Sequence, residues 1–189
     1  MGSEMCIRDR NYAATAANSE SPSDLGGVRY SISGAASLPS RIIEPWEART
    51  GGMLVEGYGL TETSPVLTIN PLDDTRRAGT IGLPLPDTQL RIGDPHDLSR
   101  TQPDGEAGEI LARGPQVFSG YLADAPATAA AFHDGWFRTG DMGVREPDGH
   151  IRLVGRIKEI IITGGFNVYP GEVEAVSYTH LRAHETDSY

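Results

Sequence analysis

Cysteine is nearly absent from this 189-residue chain: Cys6 stands alone, so no intramolecular disulfide framework can form, and the usage suits a reducing compartment. No run of about 18 apolar residues is present, so no transmembrane helix is expected. The first residues lack the apolar block of a signal peptide, and the cytoplasm is the expected location. Positive charge is scarce as well. With 16 Lys and Arg against 26 Asp and Glu, the formal net charge is -10, which argues against nucleic-acid or membrane-surface binding, since both need clustered basic side chains. A small anionic ligand stays compatible, because nearby groups and any bound metal set the field inside a pocket. Internal repeats and low-complexity tracts are missing too.

What is present suffices for a core. Hydrophobic residues make up 38% of the chain, and the length suits one domain or two small ones. Val28, Tyr30 and Ile32 alternate with polar neighbours and predict a strand ending at Gly34. A helix is expected to open near Pro39, with Ile42, Ile43 and Trp46 on one face, Gly51-Gly52 as its stop and Pro45 as a possible kink. Met53 to Val55 reads as a second, buried strand. Strand, helix, strand implies a parallel sheet with its ligand site at the carboxyl ends of the strands. From Gly79 the texture changes to short strands between turns: Gln89 to Ile92, Glu109 to Ala112 and His150 to Val154 are strands, and Asp104-Gly105 and Asp148-Gly149 are hairpin-type turns. A short helix around Ala125 to Phe132 interrupts them. Ile160 to Ile162 predicts a further apolar strand, and Pro170 a helix start with Glu172 and Glu174 in its first turn.

The chemistry concentrates in Glu56-Gly57-Tyr58-Gly59-Leu60-Thr61-Glu62-Thr63-Ser64-Pro65. Gly57 and Gly59 remove side chains where a ligand can approach the backbone. Tyr58 offers a flat face to a base, Thr61 a donor to a phosphate, and Glu62 oxygens to a hard cation. The competing reading is a strand, a glycine turn and a polar helix start, with Thr61 or Thr63 as a cap.

Tyr58-Gly59-Leu60-Thr61-Glu62-Thr63 resembles the core motif of the adenylate-forming enzymes: acyl-CoA synthetases, luciferases and non-ribosomal adenylation domains. Gly34-Ala35-Ala36, Gly135-Trp136-Phe137-Arg138-Thr139-Gly140-Asp141, Gly155-Arg156-Ile157-Lys158-Glu159 and Gly164-Gly165-Phe166-Asn167-Val168-Tyr169-Pro170 match further motifs in the family's order. The resemblance implies an α/β fold in which residues 11–78 form the end of a large parallel-sheet subdomain, 79–155 a small, mostly-β barrel-like subdomain, and 156–176 a hinge and the start of an α+β C-terminal domain. Residues 1–10 and 177–189 lack the pattern and are similar to translated sequencing-adapter read-through. They are left out of fold reasoning. His180 and His184, at helical spacing without a third ligand, are not assigned to a metal.

The implied reaction joins a carboxylate to the α-phosphate of ATP, and a thiol, that of coenzyme A, then captures the acyl-adenylate. A negative nucleophile meets a polyanion, so the task is charge neutralisation and alignment. By the resemblance, Thr61 and Glu62 are catalytic, Glu62 as a Mg²⁺ ligand. The nucleotide contacts are Gly34, Ala35, Ala36, Glu56, Gly57, Tyr58, Gly59, Thr61, Asp141 and Arg156, with Asp141 accepting from both ribose hydroxyls. Lys158 would be the hinge, and Gly164 and Gly165 would border the CoA channel. Each has a plainer alternative: a turn Asp, an exposed edge Arg, a solvated Lys, and glycines as turn punctuation. Trp46, Trp136 and Phe137 read as core. His96, His133 and His150 lack triad partners, and Ser64 lacks a nucleophile-elbow context.

The family's phosphate loop and its carboxylate-orienting lysine match nothing in the chain, so the expectation is a fragment that does not catalyse adenylation alone and binds ATP weakly. The first reading is an acyl-CoA synthetase of the fatty-acid type, and the GFNVYP wording resembles acyl- and aryl-CoA ligases more than peptide-synthetase adenylation domains. An enzyme that loads a carrier protein and a non-catalytic remnant are the alternatives.

Overall fold

The computed structural model describes residues 27–34 and 38–159, with backbone alone for 161–163 and 166–168. Two compact units result: residues up to Thr88 together with Pro115–Phe118, and Gln89–Gly114 together with the residues from Ser119 onward.

In the first unit, β1 (Tyr30–Ser33) runs parallel to β2 (Met53–Tyr58), with Tyr30 opposite Met53 and Ser33 opposite Glu56. The crossover between them is a 3₁₀ turn, Ser40–Ile42, continuing into α1 (Ile43–Thr50). Pro45 causes no break, because it falls in the first turn of α1, where a backbone N–H has no helical acceptor. Gly51, at φ 71°, ends the helix in the left-handed region that a C-terminal glycine supplies. β3 (Thr68–Ile69) and β4 (Leu83–Pro84) complete the sheet in the order β1-β2-β3-β4, both antiparallel to their neighbours. The expected parallel sheet is therefore mixed: β3 returns through a short turn with no helical crossover, and such a return can pair only antiparallel.

A second difference concerns β1. Its apolar members are the outward ones, with Tyr30 50% and Ile32 63% exposed, while Ser31 accepts a hydrogen bond from Trp46 Nε1 at 3.0 Å on the side covered by α1. Leu54, Val55, Tyr58, Leu67 and Ile81 are among the buried apolar residues of this unit.

The second unit is antiparallel throughout its main sheet, as its short strands and turns predict. Along the path β10-β9-β7-β5-β6 lie β5 (Gln89–Asp94), β6 (Asp97–Thr101), β7 (Ala107–Arg113), β9 (Trp136–Arg145) and β10 (Ile151–Arg156), with β8 (Phe132–His133) paired to β9. β6 was not foreseen: its burial is too slight for an apolar alternation. α2 (Ala125–Ala131) is capped by Asp124, whose side chain accepts from the Ala127 N–H at 2.9 Å. Ile92, Ile110, Leu111, Phe137, Met142, Val144 and Ile151 form the core. β11 (Ile161–Thr163) and β12 (Phe166–Val168) make a separate antiparallel pair. Among the described residues no helix is long and apolar enough to cross a membrane.

Candidate functional site

β1 and β2 run parallel, so their carboxyl ends lie together and set Gly34 beside Gly57: a Cβ on Gly34 would stand 3.4 Å from the Gly57 carbonyl oxygen. The role expected of the two motif glycines changes here. A Cβ on Gly59 would lie 1.7 Å from the Pro65 carbonyl oxygen, and one on Gly57 3.3 Å from that of Thr68. The chain itself fills the space that the glycines leave, so glycine is demanded at Gly59 by the turn rather than by ligand approach. Tyr58 is 9% exposed and belongs to the core, so the open face expected for a base is mostly covered.

Glu56 was expected at the nucleotide, yet its carboxylate is 8% exposed and already engaged. It accepts from the Leu38 N–H at 3.3 Å and the Gly79 N–H at 3.0 Å, which ties the segments following β1 and preceding β4 to β2. Burial raises its pKa above the ordinary carboxylate value, partly offset by those two donors. A cavity of about 130 Å³ adjoins it, lined by Ile43, Leu54, Asn70, Arg76 and their neighbours, and shares only Glu56 with the motif.

After Gly59 the chain makes a 3₁₀ turn over Thr61–Thr63. The capping alternative is realised by Thr63, which is fully buried. Its hydroxyl accepts from the Leu60 N–H at 2.9 Å and reaches the Leu60 and Pro65 carbonyls at 2.9 and 3.0 Å. Thr61 is exposed and Glu62 half-buried, and the Glu62 carbonyl accepts from the Phe118 N–H at 2.8 Å, which pins the turn. Two neighbouring threonines thus divide the labour: Thr63 holds the turn and Thr61 stands at its surface.

In the second unit Asp141 and Arg156 meet. They are cross-strand partners on β9 and β10, and a register shift between Leu153 and Gly155 brings Arg156 opposite Asp141. Arg156 Nε lies 3.2 Å from Asp141 Oδ1, with the Asp141 side chain 8% and the Arg156 side chain 66% exposed. Lys158 follows on an exposed 3₁₀ turn, Ile157–Glu159. Ala35, Ala36, Gly164, Gly165, the helix expected from Pro170 and both terminal segments lie outside the described residues.

Sequence reasoning missed Glu109. This residue of β7 is 1% exposed; its Oε2 accepts from Arg138 Nε and Nη2 at 3.2 and 3.0 Å, and its Oε1 from the Gly140 N–H at 3.2 Å. The available signal was a carboxylate placed directly before Ile110-Leu111-Ala112, since a buried charge needs a partner. Trp136, read as core, is half-buried between two guanidiniums, those of Arg91 and Arg113 at 5.0 and 4.5 Å from its ring. His150 is 4% exposed, with Nδ1 3.2 Å from Asp148 Oδ1 of its own turn.

No group of three or more His, Cys, Asp or Glu able to hold a metal occurs among the described residues. An all-protein cage is therefore not offered there. Mg²⁺ commonly takes one or two carboxylates plus substrate phosphates, and a half-buried Glu62 on a pinned turn fits that mode.

The AMP-binding enzyme family matches residues 4–122 of the chain. A long-chain-fatty-acid–CoA ligase of Yersinia pestis is 42% identical over 163 residues, covering 86% of this chain and 29% of that protein. An indoleacetate–CoA ligase of Aromatoleum aromaticum is 44% identical over 154 residues, covering 80% and 29%. The crystal structure of ATP-bound MatB from Rhodopseudomonas palustris superposes with a TM-score of 0.78 at 38% identity, over 87% of this chain and 33% of that one. The chain thus spans somewhat under a third of the length of the curated relatives it matches.

Proposed function

Given that the chain belongs to the AMP-binding enzyme family, we propose that it is part of an ATP-dependent acyl-CoA synthetase, which activates a fatty carboxylic acid as its acyl-adenylate and passes the acyl group to coenzyme A. A carboxylate oxygen of the acid attacks the α-phosphorus of ATP and pyrophosphate departs. The CoA thiolate then attacks the acyl carbonyl, and AMP leaves with the electron pair of the broken C–O bond.

The observation that carries the reading is the Asp141–Arg156 pair: a carboxylate almost wholly buried, held by its strand, with a guanidinium across from it. A carboxylate so placed accepts from the two vicinal hydroxyls of a ribose, and the adjacent Arg compensates its charge and reaches ribose and phosphate oxygens. Thr61, exposed on its turn, donates to a phosphate oxygen. Tyr58 would lie against the adenine, and Gly34 and Gly57 supply a closely spaced backbone at the strand ends. Glu62 would hold Mg²⁺, which when bound neutralises phosphate charge. Lys158, two residues after Arg156, serves as the hinge of a C-terminal domain and contributes through conformation rather than chemistry. CoA is preferred over a carrier protein as acceptor because the relatives above are CoA ligases, and a fatty acid is proposed because long-chain-fatty-acid–CoA ligases recur among them.

The test is a segment exchange. Residues 28–159 replace the matching part of the Yersinia pestis ligase, and fatty-acid-dependent ATP–pyrophosphate exchange is measured with and without Asp141→Ala. Activity that survives the exchange and falls at least about a hundredfold with Asp141→Ala is expected, since both ribose hydrogen bonds to a charged acceptor are lost. A folded chimera that exchanges pyrophosphate equally well without the Asp141 carboxylate overturns the reading.

A further inference from the structure

We propose that Glu109, acting with Arg138 and Thr139, is a positioning residue that presets Asp141 for a vicinal diol; this rests on the nucleotide reading above. The geometry begins with a break in the ladder. Glu109 of β7 pairs with Met142 of β9, yet Leu111 pairs with Arg138, so β9 spends two more residues than β7 between those pairs. The surplus falls within the Thr139-Gly140-Asp141 segment, three residues against Ile110 alone, and Gly140 lies in the left-handed region at φ 73°. A bulge of this kind re-aims a side chain and leaves ladder groups without their cross-strand partners.

Side chains take over those partnerships. Glu109 Oε1 accepts from the Gly140 N–H at 3.2 Å, Thr139 Oγ1 accepts from the Asp141 N–H at 3.1 Å, and the Thr139 hydroxyl donates to the Ile110 carbonyl at 2.8 Å. Arg138, its side chain 40% exposed, neutralises Glu109, which is otherwise sealed in the sheet. Every backbone N–H from Gly140 to Asp141 is thereby tied to a side chain anchored on β7 or on the bulge itself. Were Glu109 only a core filler paired with Arg138, its second oxygen would not be needed at Gly140. A carboxylate that must accept from two hydroxyls at once is sensitive to small rotations, and preorganisation of its backbone is where binding selectivity is gained.

The experiment uses the full 189-residue chain, ¹⁵N-labelled and titrated with AMP and with 2′-deoxy-AMP while the Gly140, Asp141 and Arg156 amide shifts are followed. Wild type, Glu109→Leu and Thr139→Val are compared, with signal dispersion reporting folding. Wild type is expected to favour AMP roughly tenfold, the worth of one hydrogen bond to a charged acceptor. In both variants the ratio should fall to within about twofold of unity with 2′-deoxy-AMP affinity kept, because the loss is confined to the diol. A folded Glu109→Leu, which has no acceptor for the Gly140 N–H, that retains the wild-type ratio overturns the positioning role and leaves the nucleotide reading standing. Should Glu109→Leu not fold, an unchanged ratio in Thr139→Val overturns it in the same way. If wild-type Asp141 fails to discriminate the two nucleotides, the diol assignment fails and this inference with it.

Discussion

Removing the Glu47 carboxylate should loosen the strand that delivers the Glu56–Tyr58 segment. Glu47 of α1 accepts from the Leu54 N–H at 2.7 Å and is held by both terminal nitrogens of Arg76, Nη2 at 2.8 Å from its second oxygen; Arg76 Nη1 in turn donates to the Leu54 carbonyl at 2.9 Å. Helix, strand and the 73–79 loop are thus joined at one carboxylate, with the Arg76 and Glu47 side chains 28% and 24% exposed. In Glu47→Ala the Leu54 N–H loses its acceptor at a 7% exposed residue, costing about 1–2 kcal/mol. The ion pair adds about 0.5–1 kcal/mol after solvent screening. The sum is about 1.5–3 kcal/mol at neutral pH, whereas Glu47→Gln, which keeps an acceptor for Leu54, should lose only about 1 kcal/mol.

The pH dependence has a definite sign. The Glu47 pKa is lowered, first by its hydrogen bond to Arg76, against an opposing effect of burial and with help from the Leu54 N–H and the Arg76 charge. A carboxylate with a folded pKa below its unfolded one stabilises above about pH 4.3, and that stabilisation fades as the pH falls through the folded value. The assay is urea unfolding followed by Trp46 fluorescence in a Trp136→Phe background, since these are the two tryptophans of the chain. A Glu47→Ala difference under about 0.5 kcal/mol at pH 7, or one that persists unchanged at about pH 3, refutes the reasoning.

Thr63→Val should destabilise the first unit by about 1–3 kcal/mol, because the buried Leu60–Pro65 turn loses the hydroxyl that holds it, while Thr61→Val leaves urea stability within about 0.5 kcal/mol and weakens AMP binding. Equal stability losses in the two variants would count against the division between them. Glu56 should titrate with the opposite sign to Glu47: burial raises its folded pKa, so its contribution is present below about pH 4.3 and is lost as the pH rises through the folded value. The stability difference between wild type and Glu56→Gln, measured by urea unfolding from pH 4 to 7, should therefore shift against wild type as the pH rises; a flat difference would mean that burial is not what sets this group.

The sequence determined the local elements through periodicity and turn chemistry. The β1–α1–β2 unit was legible in Tyr30, Ile32, the apolar face of Ile42, Ile43 and Trp46, and the Gly51-Gly52 stop, and the antiparallel unit in its short strands between turns such as Asp104-Gly105 and Asp148-Gly149. The order of motifs also singled out Asp141 and Arg156 as candidate site residues, and the fold sets them 3.2 Å apart. Tertiary structure decided what each polar group does with its hydrogen bonds. Pro65 packs against Gly59, Glu56 ties two loops to its strand, and Thr61 and Thr63 are told apart by burial. Glu109 escaped notice because its partners, Arg138 and Gly140, lie about thirty residues away in the chain, and a single strand residue carries no periodicity. Local pattern is set by nearest neighbours along the chain, and a linear sequence displays it. The fate of a buried donor or carboxylate depends on register across strands, which bulges at β9 and β10 shift by whole residues, and only the folded chain reveals where those shifts fall.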